Sequence, residues 1–382
     1  MGEPRGDLWP EGWDPEITVV IPAHNEAESI ATTVETVLRQ TVKPALVIVG
    51  NDCSSDDTGR LAREAGAYVL DLPRQGVKGK VINEMLKHVK TPYMIVIDAD
   101  VRLEPDAIEK LIVALADGET FCASGFIIPW KQETLWEKLR TVQYIVYMSV
   151  MKPGQALWCN PIVASGCFLA INTRILRELN GFSGESVAED MEVTWRALAR
   201  GYRVKFLPDA ICYAFDPPTY VIFKRQVLRW YRGFWQILKQ TGLGILDNRG
   251  LTIFVGLNLA ELAMGLSAWA LLFYGAAAMY VSYALALPPI NYLPQYTPYA
   301  TAWLLLQGVL ALVLSQYYGR KYGVSRRVLL EGWFYYIATG WLETWFFVKA
   351  FALEWIMRRH LAHWDKGHVC AGDSKAAGGA GV

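Results

Sequence analysis

Charge is scarce where this sequence is most apolar: from Leu251 to Tyr318 the only charged side chain is Glu261. So long a stretch without charge excludes an ordinary solvated surface there, and it marks a boundary near Gly250, upstream of which charged residues recur every few positions. Net charge is also missing, with 37 basic and 37 acidic residues, so nothing in the balance points to nucleic acid as a partner. The six cysteines form no C-x-x-C pair; this excludes a zinc knuckle or a disulfide framework, and scattered thiols suit a reducing compartment. No glycine-rich phosphate loop occurs, which disfavours a nucleotidyl-transferring α/β enzyme. Met1 to Glu16 is polar and holds no apolar run, so no signal peptide is expected and the first half is expected in the cytosol. Of the five histidines, His360, His363 and His368 have a loosely ligand-like spacing, but they sit in a basic segment and are not read as a metal set.

What is present begins with short β-branched runs alternating with helical stretches. Ile17 to Pro22, Ala45 to Gly50, Ala67 to Leu72 and Tyr93 to Ile97 read as strands. Glu28 to Gln40, Leu61 to Ala65 and Lys80 to Lys90 read as the helices between them. The alternation predicts an α/β domain with a mostly parallel, Rossmann-like sheet. Ligands in such sheets bind beyond the carboxyl ends of the strands, where Asn25-Glu26, Asn51-Asp52 and Asp98-Ala99-Asp100 fall. Asp56 and Asp57 are expected to do no more than cap a helix. Asp98 and Asp100 differ, because two carboxylates one residue apart after a buried strand crowd negative charge. A hard divalent ion such as Mg²⁺, shared with phosphate oxygens, relieves that crowding.

At this point the pattern resembles the inverting nucleotide-sugar glycosyltransferases of family 2, which have a GT-A fold. Its pieces are Val20-Ile21-Pro22-Ala23-His24-Asn25-Glu26, Asn51-Asp52-Cys53-Ser54-Ser55-Asp56-Asp57-Thr58, Asp98-Ala99-Asp100, Ser165-Gly166, Gly181-Phe182, Glu189-Asp190 and Gln226-Val227-Leu228-Arg229-Trp230. They occur in the family's order over about residues 17–235, and the last, QxxRW, marks the membrane-associated branch that includes cellulose, chitin and hyaluronan synthases and ceramide glucosyltransferase-like enzymes. Two positions depart from the family: Asn51-Asp52 stands where two acids are common, and Val187-Ala188 precedes the acidic pair in place of the frequent Thr.

The resemblance implies roles residue by residue. Pro22, Asn25, Glu26 and Asp52 would shape the donor nucleotide site, with Asp52 toward the base. Asp100, with Asp98 beside it, would hold Mg²⁺ or Mn²⁺, Asp98 leaning alternatively toward the ribose or donor sugar. Lys78 would contact base or phosphate, or else be a solvated lysine at a helix start; Asn83 reads as structural. Asp190 would be the general base, at the start of a helix from Met191 to Arg200 whose dipole favours an ionised carboxylate. Gln226, Arg229 and Trp230, at i, i+3 and i+4 of a helix from Tyr220 to Gln240, share one face: Arg229 suits a diphosphate, Trp230 a sugar ring, Gln226 acceptor hydroxyls. The same helix reads alternatively as interfacial, with Arg and Trp at lipid headgroups.

Downstream, Ser267 to Leu287 and Pro298 to Tyr318 are long enough to cross a bilayer, and Arg320 to Arg327 is a basic loop expected on the cytosolic side. Val328 to Ile356 carries Glu331, Glu343, Lys349 and Glu354. Were it to cross, Arg358, Arg359 and Lys366 would lie outside, so an interfacial or re-entrant path around Gly340, or an extra short span within Leu251 to Gly265 (which reads equally as an interface helix), is expected instead. Trp130 to Lys152 reads as a further amphipathic helix. Trp364-Asp365-Lys366-Gly367-His368 resembles the family's Trp-x-Lys-Thr-like loop with Gly367 at the Thr. The parts are thus a polar segment (1–16), a GT-A domain (17–217), interface helices (218–250), a membrane region (251–357) and a basic tail (358–382). Together they imply an integral protein of the cell membrane that moves a sugar from a nucleotide-diphosphate sugar, UDP-linked in the first instance, to a lipid-linked or short glycan acceptor, its partners including membrane lipids. A processive polysaccharide synthase is the alternative; a non-catalytic nucleotide-sugar-binding scaffold would be expected to lack Asp190 or the Asp98/Asp100 pair.

Overall fold

The computed structural model describes residues 13–158, 160–285, 297–359 and 361. Its frame is an eight-stranded mixed sheet in the order β3-β2-β1-β4-β7-β6-β8-β5. The strands are β1 (Ile17–Ala23), β2 (Leu46–Asp52), β3 (Tyr68–Leu72), β4 (Tyr93–Ile97), β5 (Val101–Leu103), β6 (Thr120–Pro129), β7 (Phe168–Asn172) and β8 (Arg203–Ala214). The four strands expected from the sequence are β1 to β4, and they run parallel. β7 then enters antiparallel to β4, with Ile97 opposite Phe168. Hence the start of β7 and the ends of β1, β2 and β4 meet at one edge of the sheet.

Every residue of β1 is buried, as a central strand covered on both faces requires. Alternation decides which layer each side chain enters. Val19, Ile21, Val49, Ile95 and Ile97 face a layer with α1 (Ile30–Leu38), α4 (Ala107–Ile112) and α5 (Leu135–Val146). Val20, Ile48, Met94 and Val96 face the other, with α3 (Lys78–Leu86), α8 (Glu189–Ala199) and α9 (Tyr220–Thr241). The remaining short helices are α2 (Thr58–Glu64), α6 (Lys152–Trp158) and α7 (Thr173–Glu178). The expected amphipathic helix at Trp130 to Lys152 is divided: α5 starts at a Thr134/Glu137 capping box and passes through a π-helical turn into α6.

Three long helices follow: α10 (Arg249–Ala284), α11 (Thr297–Lys321) and α12 (Arg326–Phe351), the last ending in a π-helical turn over Ala352–Ile356. Two expectations change here. Leu251 to Gly265 and Ser267 to Ala284 are one helix rather than two elements, because Gly265 alone does not interrupt so apolar a run. Gly340 makes no re-entrant break, since α12 continues through it between aromatic and aliphatic neighbours on both sides. Among the described residues one helical window, Arg249–Ser267, is long and apolar enough to cross a membrane by length and composition, and 17% of it is buried by the rest of the chain. The end of the expected span at Leu287, and the Trp364-to-His368 motif, lie outside the described residues.

α12 fastens this region to the α/β layers. Its Leu329 enters the first layer and its Phe347 the second. Trp235 of α9, 5% exposed, has ring neighbours Phe347 at 4.9 Å, Phe351 at 5.0 Å and Phe234 at 5.3 Å, and its indole N–H donates to the Phe347 carbonyl at 3.2 Å. Trp235→Ala is expected to cost about 3–5 kcal/mol through the cavity left, read as a lowered thermal midpoint of the purified protein; an unchanged midpoint would show that α12 is held elsewhere.

Candidate active site

The converging strand ends carry the residues singled out by the sequence. Beyond β1, buried Pro22 and Ala23 lead into His24, whose Nδ1 lies 2.8 Å from the Asp52 carbonyl. Asn25 follows with φ +54°, in the left-handed region that Asn tolerates. Its side-chain oxygen accepts from the Ser55 N–H at 2.8 Å, and the buried Glu26 donates its N–H to Thr58 Oγ1 at 2.8 Å. These bonds lash the β1 and β2 ends together. Asp52 is fully buried, and its carboxylate accepts from Arg74 at 2.9 Å, from the Gly76 N–H at 3.1 Å and from the Gln75 N–H. It holds the loop after β3 in place, one step behind the surface of the cleft.

Lys78 opens α3 and is buried, so the solvated alternative is excluded. Its ammonium lies 2.6 Å from Asp98 Oδ1 and 3.3 Å from Glu189 Oε1, and donates to the Gly166 carbonyl at 2.9 Å. Burial works against that charge, yet Asp98, Glu189 and Asp190 outweigh it and hold the lysine above its ordinary range. Glu189 is pushed up by burial and by Asp190, while Lys78 and Arg229 pull it back.

Asp190 stands in the first turn of α8, where the helix N-terminus favours a carboxylate. Its Oδ2 accepts from the Gly166 N–H at 2.9 Å and its Oδ1 from the Met191 N–H at 2.8 Å. A Cβ at residue 166 would lie 2.9 Å from the same carboxylate, so only glycine permits this approach. Each carboxylate oxygen has a second lone pair, which leaves Asp190 able to take a proton.

The QxxRW residues divide their contacts. Arg229 Nη1 donates to the Val187 carbonyl at 2.9 Å, beside the acidic pair. Gln226 and Trp230 instead meet Arg140 of α5, a residue the sequence reading passed over: its guanidinium donates to Gln226 Oε1 at 2.7 Å and lies 4.5 Å from the Trp230 ring centre. Nearby Asp216 is pushed up to about 7 by burial, against the pull of Arg140 and Tyr144, with Asp100 and Glu137 adding to the rise. Asn83, read as structural, exchanges two bonds with the Phe182 backbone.

A divalent cation is implied by the resemblance, and the donor chemistry tests it. Among the described residues no group of three His, Cys, Asp or Glu side chains is placed to hold a metal ion, and Asp98 is engaged by Lys78. Asp100, half-buried in the turn after β4, supplies the carboxylate at the edge. Such a set fits Mg²⁺ or Mn²⁺ completing its shell with diphosphate oxygens and water, rather than an all-protein cage.

Lys152 is a second buried lysine, missed because it reads as one more polar residue at a helix end. Fully enclosed, it donates to Ser165 Oγ at 2.7 Å and Ser124 Oγ at 3.2 Å. Burial lowers it to about 8, offset in part by Cys167, Asp190, Cys122 and Cys212. The unfolded chain therefore binds this proton more tightly between about pH 8 and the ordinary lysine range, and stability rises with pH across that window. Lys152→Met is expected to melt above the natural protein at pH 7, with the gap narrowing above pH 8. Melting below it at pH 7, with a gap indifferent to pH, would show the ammonium to be stabilising.

Comparison with known proteins gives a family match, two relatives and a fold neighbour. Residues 18–179 match the model of glycosyl transferase family 2. The probable glycosyltransferase YdaM of Bacillus subtilis (strain 168) is 30% identical over 239 residues, 57% of this chain and 55% of that protein. The poly-β-1,6-N-acetyl-D-glucosamine synthase of Staphylococcus aureus (strain COL) is 25% identical over 244 residues, 63% of this chain and 59% of that protein. The chain thus spans a little over half the length of these curated relatives. Among solved structures, mannosyltransferase PcManGT from Pyrobaculum calidifontis, in complex with GDP-Man and Mn²⁺, superposes with a TM-score of 0.57 at 19% identity, over 85% of this chain and 88% of that one. At that identity the likeness is one of fold.

Proposed function

We propose that this chain, whose residues 18–179 match the model of glycosyl transferase family 2, is a membrane-bound inverting glycosyltransferase that uses a nucleotide-diphosphate sugar, UDP-linked in the first instance. The observation that carries the reading is the meeting of Asp190, Gly166, Lys78 and Asp98 at one sheet edge. A carboxylate fixed by two backbone N–H groups there can take the proton of an acceptor hydroxyl. The hydroxyl oxygen then bonds the anomeric carbon as the bond to the diphosphate breaks on the opposite face, and the nucleoside diphosphate leaves.

The remaining residues bind and orient. Lys78 places a positive charge beside the donor, and Asp98, held by it, is aimed at the ribose or donor sugar rather than at a metal. Pro22, Asn25 and Glu26 shape the nucleotide side, with Asp52 acting through the loop after β3. Arg229 holds the segment before the base and stays near enough to the acidic pair to face a diphosphate. Gln226 and Trp230, braced by Arg140, form the wall for an acceptor. Asp100 would hold Mg²⁺ or Mn²⁺, which neutralises the charge developing on the diphosphate.

The exposed apolar side chains of α10, among them Leu257, Met264, Phe273 and Met279, support seating in a bilayer with the catalytic part on the cytosolic side. A lipid-linked or short glycan acceptor can reach the site from that plane. Polymer synthesis is the second reading, supported by QxxRW and by the similarity to the S. aureus synthase.

With enzyme in detergent, a donor panel and products partitioned between organic and aqueous phases, Asp190→Asn is expected to lower transfer by about 10²–10⁴-fold while donor binding persists. Full activity of that variant would remove the base assignment.

A further inference from the structure

The segment that carries Asp190 is held by one face of α9, at positions 229, 233 and 236, which are i, i+4 and i+7. Gly233 lets the helix press against Ala188, whose side chain a Cβ at 233 would strike. Arg229 donates to the Val187 carbonyl at 2.9 Å, and the Val187 N–H donates to Gln236 Oε1 at 3.3 Å. Val187 is therefore gripped at both its backbone polar groups, three residues before Asp190.

Gln236 is 2% exposed and has a second set of partners. Its Nε2 donates to Glu354 Oε1 at 3.2 Å and to the Leu361 carbonyl at 3.3 Å. The partners fix the amide's orientation, since an N–H needs the oxygen on one side and two acceptors need the nitrogen on the other. Glu354, 4% exposed in the π-helical turn after α12, also pairs with Arg232 Nε at 2.6 Å, and Arg232 donates onward to the Arg359 carbonyl. Gln236 and Glu354 line a cavity of about 400 Å³ with Val77, Lys80, Gly184 and Lys239.

We propose that Gln236 is a positioning residue for Asp190, through which the segment after α12 sets how far the carboxylate reaches toward the acceptor. The inference rests on Asp190 as the general base. Loss of the Glu354 and Leu361 contacts would leave the Gln236 amide with buried donors unsatisfied, and the grip on Val187 would slacken with it. The coupling thus links α12 to the catalytic carboxylate without α12 itself touching the substrate.

The test uses the full chain in detergent, with the UDP-sugar it turns over. Gln236→Met keeps the shape and removes all three bonds; it is expected to lower kcat by roughly 100-fold, the scale for a reacting group misplaced by about 1 Å, at unchanged donor KM and nucleotide affinity. Glu354→Met removes the acceptor of one Gln236 bond and is expected to lower kcat less, and the double variant to be no worse than Gln236→Met, because both act through one contact. A kcat within twofold of the natural protein in Gln236→Met, or multiplicative losses in the double variant, overturns the coupling. Should Gln236→Met fail to fold, an unaltered kcat in Glu354→Met overturns it equally. Asp190→Asn measured alongside separates the two claims: inactive Asp190→Asn with full activity in Gln236→Met removes the positioning role alone, whereas active Asp190→Asn removes the base and this inference together.

Discussion

The ammonium of Lys78 ties together three parts of the chain that border the candidate site. It lies between Asp98 at the end of β4, the Gly166 carbonyl before β7 and Glu189 at the start of α8. A buried charge is tolerable only where partners compensate its lost hydration, and here two carboxylates and a carbonyl surround it. Removing any partner would leave charge uncompensated inside the protein, so the arrangement is specified from several directions at once. Asp98, Glu189 and the loop before β7 are held together by that demand, and Asp190 stands next in sequence to Glu189.

Around this centre the structure adds two braces. One is Arg140, which holds Gln226 and Trp230 from α5 and stacks against aromatic faces as a guanidinium can and an ammonium cannot. The other is α9 itself, which grips the segment before Asp190 with Arg229 and packs Trp235 onto α12. One helix therefore borders the site on one side and the apolar region on the other. Gln226, Arg229 and Trp230, read from the sequence as facing substrate, are also held by protein contacts to Arg140 and Val187.

Much of this was legible in the sequence. β1 and β4 announce themselves as continuous apolar runs, and their ends place Asn25, Asp98 and Asp100 at the ligand-binding edge because parallel sheets bind there. What was not legible is pairing over long separations. Nothing local to Lys78 distinguishes a solvated helix start from an ion pair with residues 98 and 189. Asp52 reads as a surface carboxylate facing a ligand, but the amides that bury it come from the loop after β3. Arg140, Lys152 and Gln236 look like the polar side of amphipathic helices until the packing encloses them; the signal available for Gln236 was its place seven residues after Arg229 on the same face. Helix ends in the apolar region were blurred because Gly265 and Gly340 read as breaks, while the surrounding side chains favour an unbroken helix.

The central claim is that Lys78 organises the site and meets the donor's charge, and it is tested most directly by titrating a UDP-sugar into Lys78→Met and following single-turnover transfer at saturating donor. Donor affinity and transfer are both expected to fall, the latter by at least the 10²-fold associated with misplaced catalytic groups, while the variant remains folded. Natural affinity with a natural single-turnover rate in the folded variant would contradict the account.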